Sequence, residues 1–256
     1  FSRIWEATLS AVGSHLTVGL GGILFLGFPA AFWCGAYGYA VAAKAGVPLG
    51  ASFVIGMILS GAAGGTFAFF YTRMSNDSFA VITLASVLAM EALIRSWDAV
   101  TGGVLGIAGV SRMSPQQTLQ DLMIVQGTLV GSALIGEWLL IHSPFGRSLR
   151  ALKENKNVLM TLGTSAERTG QIALLIAASC TGVAGILTAM RIQFLDPSLG
   201  GFVLLVQILT IAIIAHAPKT LRLLGITFLI VLLPEVLRFL HLPVLILGYA
   251  RNFMYA

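Results

Sequence analysis

From Val47 to Tyr71 the chain holds no charged side chain. A helical run of that length spans the roughly 30 Å hydrocarbon core of a bilayer, and such runs recur along the sequence. Phe79 to Ile94, Asp121 to His142, Ile172 to Leu195, Phe202 to His216 and Leu221 to Leu240 read as further spans. The runs are continuous, not alternating, which argues against an outer-membrane barrel. Charged residues make up 10% of the chain, against about 25% in soluble domains. The 57% that are hydrophobic exceed what a soluble core of 256 residues can hide. The expected fold is all-α, a polytopic transmembrane helical bundle with about eight membrane-embedded segments in one domain over residues 1–256. Both ends are expected to be incomplete, since the chain starts at Phe1 and stops within an apolar segment, Leu242 to Ala256.

The start of the chain is less regular. Residues 1 to 16 are mixed, with Arg3, Glu6 and His15 near Trp5, and read as an interfacial or partly inserted start. Leu16 to Phe28 is apolar, rich in glycine, and ends at Pro29. As a helix this piece reaches only about 20 Å, too short to cross. A broken or re-entrant element at Pro29 is therefore expected, of the kind tolerated where it faces protein or a cavity.

Charge is concentrated in one stretch, Ser143 to Gly163, with Arg147, Arg150, Lys153, Glu154 and Lys156 between two apolar runs. Ser148 to Leu162 contains no Gly or Pro, and its leucines recur at helical spacing, which predicts a single amphipathic helix of about 15 residues. The positive-inside bias makes this connection cytoplasmic. Alternation then puts Thr72–Ser78 and His216–Arg222 on the same side, and these three connections hold more Lys and Arg than the opposite ones. The net charge of +5 is spread among short loops, so a nucleic-acid partner is not expected. Cys34 and Cys180 lie in apolar segments and read as inert thiols.

No catalytic motif is present. There is no G-x-x-x-x-G-K-[ST] phosphate loop and no H-E-x-x-H, and His15, His142, His216 and His241 are too scattered to predict a metal site. The chain is therefore not expected to be an enzyme or to hold a cofactor. Glu91 and Glu137 are the ionisable residues expected within spans, where a carboxylate serves ion coupling, proton relay or helix pairing. Both also stand near span ends, Glu91 beside Arg95 and Glu137 a turn from His142, where headgroups would solvate them. The tract TGGVLGIAGV, from Thr101 with Gly102 and Gly103, and the broken segment at Pro29 are candidates for a pathway or gate. Glycines free backbone groups to face a solute, and half-helix N-termini attract carboxylates.

Several stretches together resemble the permeases of branched-chain amino-acid ABC transporters, of the LivM type. Ser143, Pro144, Phe145, Gly146, Arg147 and Arg150–Ala151, closed by Gly163, resemble the family's S-P-F-G-R…R-A loop. Ser78 to Arg95 resembles its F-A-[IV]-x-T-L-x…E span, which places Glu91 on the family's Glu. VTGGVLGIAGV, FLDPSLGGFVLLVQILTIAI and LLPEVLR resemble three further tracts. The chain departs from the pattern in GFPAAFWCGAY, with Phe28 for His and Trp33 for Gly, and across Ile214 to Gly225, where a Gly-rich turn is replaced by IAHAPKTLRLLG.

The resemblance implies an inner-membrane permease subunit of an importer that moves an amino acid, or a small amide-like solute such as urea. It also implies a second homologous permease, two cytoplasmic ATP-binding subunits that carry ATP and Mg, and an extracytoplasmic solute-binding protein. The Ser143–Gly163 stretch would be the coupling helix, with Phe145, Gly146, Arg147, Arg150, Lys153, Glu154 and Gly163 as its contacts. The competing expectation is an ion- or proton-coupled secondary transporter using Glu91 or Glu137.

Overall fold

The computed structural model describes residues 2–110, 119–161, 163–215 and 220–239. The chain opens with α1, Ser2–Ser14, which runs on as a π-helix over His15–Leu20 and then unwinds. Next come α2 Phe28–Lys44, α3 Leu49–Tyr71, α4 Asn76–Ser96 and the single turn α5 Asp98–Thr101. A 3₁₀ turn at Gly103–Leu105 leads into β1, Ile107–Ala108, followed by α6 Leu119–His142, α7 Pro144–Glu154 and α8 Lys156–Thr161. After α9 Ala166–Ile192 come β2 Phe194–Leu195, a 3₁₀ turn at Pro197–Gly200, α10 Phe202–Ile214 and α11 Thr220–Phe239.

Helix ends follow local chemistry. Ser75, Ser143 and Ser165 each accept a hydrogen bond from the backbone N–H three residues on, at 3.3 Å, and so start α4, α7 and α9. Pro29 and Pro144 sit in the first turn of α2 and α7, where a missing N–H costs nothing.

Among the described residues, five stretches are long and apolar enough to cross a membrane: Leu49–Tyr71, Asn76–Ser96, Asp121–His142, Ala166–Ile192 and Pro197–Ile214. This is fewer than the embedded segments expected from apolar runs, because α1 and α2 have 13 and 17 residues and α11 is apolar only over Thr220–Pro234. The last expected segment, Leu242 to Ala256, lies outside the described residues.

α9 is the axis of the bundle. Of its most apolar window 67% is buried, against 22–33% in the other four candidate spans. Lipid tails are as apolar as leucine, so close packing rather than the hydrophobic effect must hold such helices together. The sequence provides for it with small residues. A methyl on Gly35 would strike the Gly182 carbonyl and one on Gly56 the Gly35 carbonyl, so α2 touches α9 and α3 backbone to backbone, while the Ser60 side chain of α3 lies on Gly182. The outward faces of α3, α4 and α6 carry exposed Ile58, Val81, Leu88, Ile124 and Ile135.

Two expectations are corrected. The N-terminal stretch is not interfacial: Leu9, Ala11, Val12 and Leu16 are buried in the core, and Glu6 and His15 are buried with them. They tolerate burial because each meets a hydrogen-bonding partner from a distant helix. Nor is the basic stretch one helix. It splits at Asn155, whose backbone is extended (φ −160°, ψ 111°) and whose side chain caps the N–H of Asn157 at 2.9 Å. The expected break before α2 is present, and it falls over residues 21–27, ahead of Pro29.

Candidate functional site

The 27 residues of α9 make a rod of about 40 Å. Its first turn lies by α7 and α8, and its last runs into β2. The candidate residues divide between these two ends.

At the first end, α7 lays Leu149 and Leu152 into the core. Gly146 sits directly under the Leu140 and Ile141 carbonyls at the end of α6. Arg150 turns inward: its Nη2 donates to the Ile141 carbonyl and its Nε to the Gly146 carbonyl, both at 3.2 Å, so it caps α6. Lys153 also points back, and its Nζ donates to the Gly19 carbonyl at 2.8 Å. That carbonyl belongs to the π-helix, whose altered register leaves acceptors that an α-helix would use. Lys153 crosses directly over Gly22, which has φ +64° and where a side chain would meet the lysine Cγ at 2.8 Å. Leu149 stands on Gly21. Phe145 is half-buried, whereas Arg147, Glu154 and Gly163 are exposed. Tyr71 packs on Gly170 near the start of α9, which brings the Arg73 turn to this same end. The Phe25 ring of the unwound segment anchors it among Phe28, Phe67 and Phe79, with centroids 4.6, 5.1 and 6.1 Å away.

At the opposite end the tract from Thr101 and the segment after α9 are joined. β1 pairs antiparallel with β2, Ile107 opposite Leu195 and Ala108 opposite Phe194. The Thr101 hydroxyl donates to the Ile94 carbonyl at 2.6 Å and accepts from the Gly103 N–H at 3.3 Å, closing α4. Gly102, Gly103 and Gly106 all have positive φ. At Gly106 the left-handed backbone is also pressed against the Leu195 carbonyl, so only glycine fits. Glu91 is at this end, paired with Arg95 at 2.7 Å and partly exposed.

Two buried polar clusters complete the set, one of them at the Arg191 end of α9. The Glu6 carboxylate takes Arg191 in a two-pronged pair, at 2.7 and 2.8 Å, together with Thr188 Oγ1 at 3.0 Å and Gln126 Nε2 at 3.2 Å. His15 Nδ1 meets Glu137 Oε1, and both side chains are fully buried, so Glu137 lies in the core and not at a headgroup. Glu137 Oε2 has no hydrogen-bond partner. His142 lies on the Trp138 ring instead, its Nδ1 2.7 Å from the Trp138 carbonyl. Sequence reasoning missed Glu6 and His15 as buried groups. The available signal was that no proline separates them from the apolar run that follows. No group of three or more His, Cys, Asp or Glu able to hold a metal occurs among the described residues.

α7 thus touches the Gly19–Gly22 stretch directly, through Lys153 and Leu149, and a glycine-turned cap closes the far end of α9. A family model described as branched-chain amino acid transport system / permease component matches residues 4–251. Two curated relatives, from Escherichia coli K12 and Salmonella typhimurium LT2, both carry the name "High-affinity branched-chain amino acid transport system permease protein LivM". Each is 26% identical over 266 aligned residues, which cover 93% of this chain and 63% of the relative. The chain thus spans less than two thirds of the length of these relatives. No solved structure matches it.

Proposed function

Because the chain belongs to the family of branched-chain amino acid transport permease components, we propose that it is a transmembrane permease subunit of an ABC importer for a branched-chain amino acid, in the bacterial inner membrane. It works with a second homologous permease, two cytoplasmic ATP-binding subunits carrying ATP and Mg, and an extracytoplasmic solute-binding protein. The names of the relatives favour an amino acid over a urea-like solute.

The observation that carries this reading is the posture of α7. Arg150 and the exposed Lys153 each bond back to the permease, while Arg147 and Glu154 stand exposed on the same short helix. One face holds the bundle and the other is left to an ATPase groove. Closure of the ATPases on ATP would displace α7, and with it the Gly19 carbonyl and the unwound segment.

The test is ATP-driven leucine uptake by proteoliposomes containing the whole complex. Arg147→Glu is the cleaner reversal, since Arg150 also caps α6. Uptake should fall by about tenfold, the loss of one charge-assisted contact, while the chain still inserts. Full uptake with Arg147 and Glu154 both reversed refutes the docking assignment. Uptake driven by a proton gradient without ATP would instead favour secondary transport through Glu137 and His15.

A further inference from the structure

α10 has 13 residues, about 20 Å of helix, and it starts inside the bundle. Gly200, just ahead of it, packs on Trp33, where a Cβ on the glycine would lie 2.6 Å from the indole Nε1. The neighbours of Trp33 on α2, Phe32 and Gly35, rest on Gly185 and Gly182 of α9. Those positions are 16 to 19 residues into α9, about 24–28 Å along a rod of about 40 Å. The Asp196–Gly201 turn therefore dips into the bundle, and α10 is a half-helix whose N-terminus is held at depth.

Two buried donors converge there without acceptors. Trp33 is 1% exposed and Tyr37 6%, and neither Trp33 Nε1 nor the Tyr37 hydroxyl has a hydrogen-bond partner. They stand one turn apart on α2, hence on one face. Trp33 Nε1 faces Gly200, and the Tyr37 hydroxyl lies in the field of the Asp196 carboxylate. A buried donor without an acceptor is costly, and two together on one face call for an acceptor that comes and goes. The N-terminus of α10 adds free N–H groups and the positive end of a helix dipole. On the other side of the same turn, Glu91 Oε2 comes within 3.8 Å of where a Cβ on Gly201 would sit, its Oε1 being held by Arg95. Asp196 Oδ1 is occupied by the Ser198 N–H at 2.9 Å.

Donors on one side of the turn and the Glu91 carboxylate on the other match a zwitterion. We infer that Trp33 Nε1, the Tyr37 hydroxyl and the α10 N-terminus form a subsite for the α-carboxylate of a transported amino acid, with Glu91 receiving its α-ammonium group. The Pro197–Gly200 turn covers the donors in this structure, so the solute reaches them when that turn withdraws. The inference rests on the transport of an amino acid proposed above.

The experiment uses the complete reconstituted transporter, with L-leucine as the probe. Trp33→Phe combined with Tyr37→Phe removes both donors and keeps the rings. Leucine uptake is expected to fall by at least about tenfold, as for lost hydrogen bonds to a charged group, with ATPase subunits still copurifying. Binding of radiolabelled leucine to the wild-type permease–ATPase complex, with the solute-binding protein left out, is measured in parallel, with leucinol, which lacks the carboxylate, as competitor. Leucinol is expected to compete at least about tenfold more weakly than leucine itself. Undiminished uptake in the double variant, or equal competition by leucinol, overturns the subsite while leaving the importer reading intact. If the double variant does not assemble, the competition result alone decides. A wild-type complex that moves no leucine overturns both.

Discussion

The two ends of α9 are held by different chemistry. At the far end the joints are backbone to backbone or doubly bonded: β1 pairs with β2, Gly106 presses on the Leu195 carbonyl, and Glu6 grips Arg191 with both oxygens. At the α7 end a joint is made by one flexible side chain, as Lys153 reaches the Gly19 carbonyl across a glycine. A backbone joint resists displacement, whereas a lysine stem follows it through its rotamers. The contrast suits a protein that takes up motion at one end and keeps the other in register.

Stability should therefore fall most when the far end is damaged. Glu6→Ala leaves Arg191 without its partner, and breaking a buried pair costs about 3–5 kcal/mol. The expected readout is a large drop in thermal midpoint in detergent, partly restored by adding Arg191→Ala. Gly106→Ala forces a side chain into a left-handed backbone at a closed contact, for about 1–3 kcal/mol, visible as a smaller shift in the same assay. Lys153→Met keeps the stem and removes one partly exposed bond, about 0–1 kcal/mol. Its midpoint should barely move while ATP-driven uptake drops severalfold with ATP hydrolysis retained. If Lys153→Met destabilises as much as Glu6→Ala, the contrast between the ends is wrong. If it leaves uptake unchanged, Lys153 is not the link between α7 and the broken helix.

Much of the bundle was legible because apolar length is a one-dimensional property. α3, α4, α6 and α9 fall within a few residues of their expected runs, and the glycines before Pro29 marked a real break. What could not be read was pairing across long stretches of chain. Arg3, Glu6 and His15 made the first helix look like a surface segment, because their partners Arg191 and Glu137 lie 185 and 122 residues from Glu6 and His15. The split at Asn155 escaped because a side-chain bond to Asn157 outweighs the helical spacing of the leucines around it. Among the site candidates, the Thr101 tract and the Asp196–Gly201 turn were each visible, but their strand pairing was not. Two residues per strand carry too little pattern to register. Trp33 stood out in the sequence only as a departure from the family pattern and Tyr37 not at all, since an unpaired donor is a property of surroundings and not of sequence.

The Glu6–Arg191 pair also bears on how the protein is made. Glu6 is synthesised 185 residues before its partner. At about 5–20 residues per second that interval lasts roughly 10–40 s. Through it, α1 carries a carboxylate that mid-bilayer insertion penalises by about 2.5–3.5 kcal/mol, and a histidine whose glutamate on α6 is also still to come. α1 thus has no stable place of its own until α6 and α9 have been made, and its two buried side chains wait for partners that the ribosome adds much later.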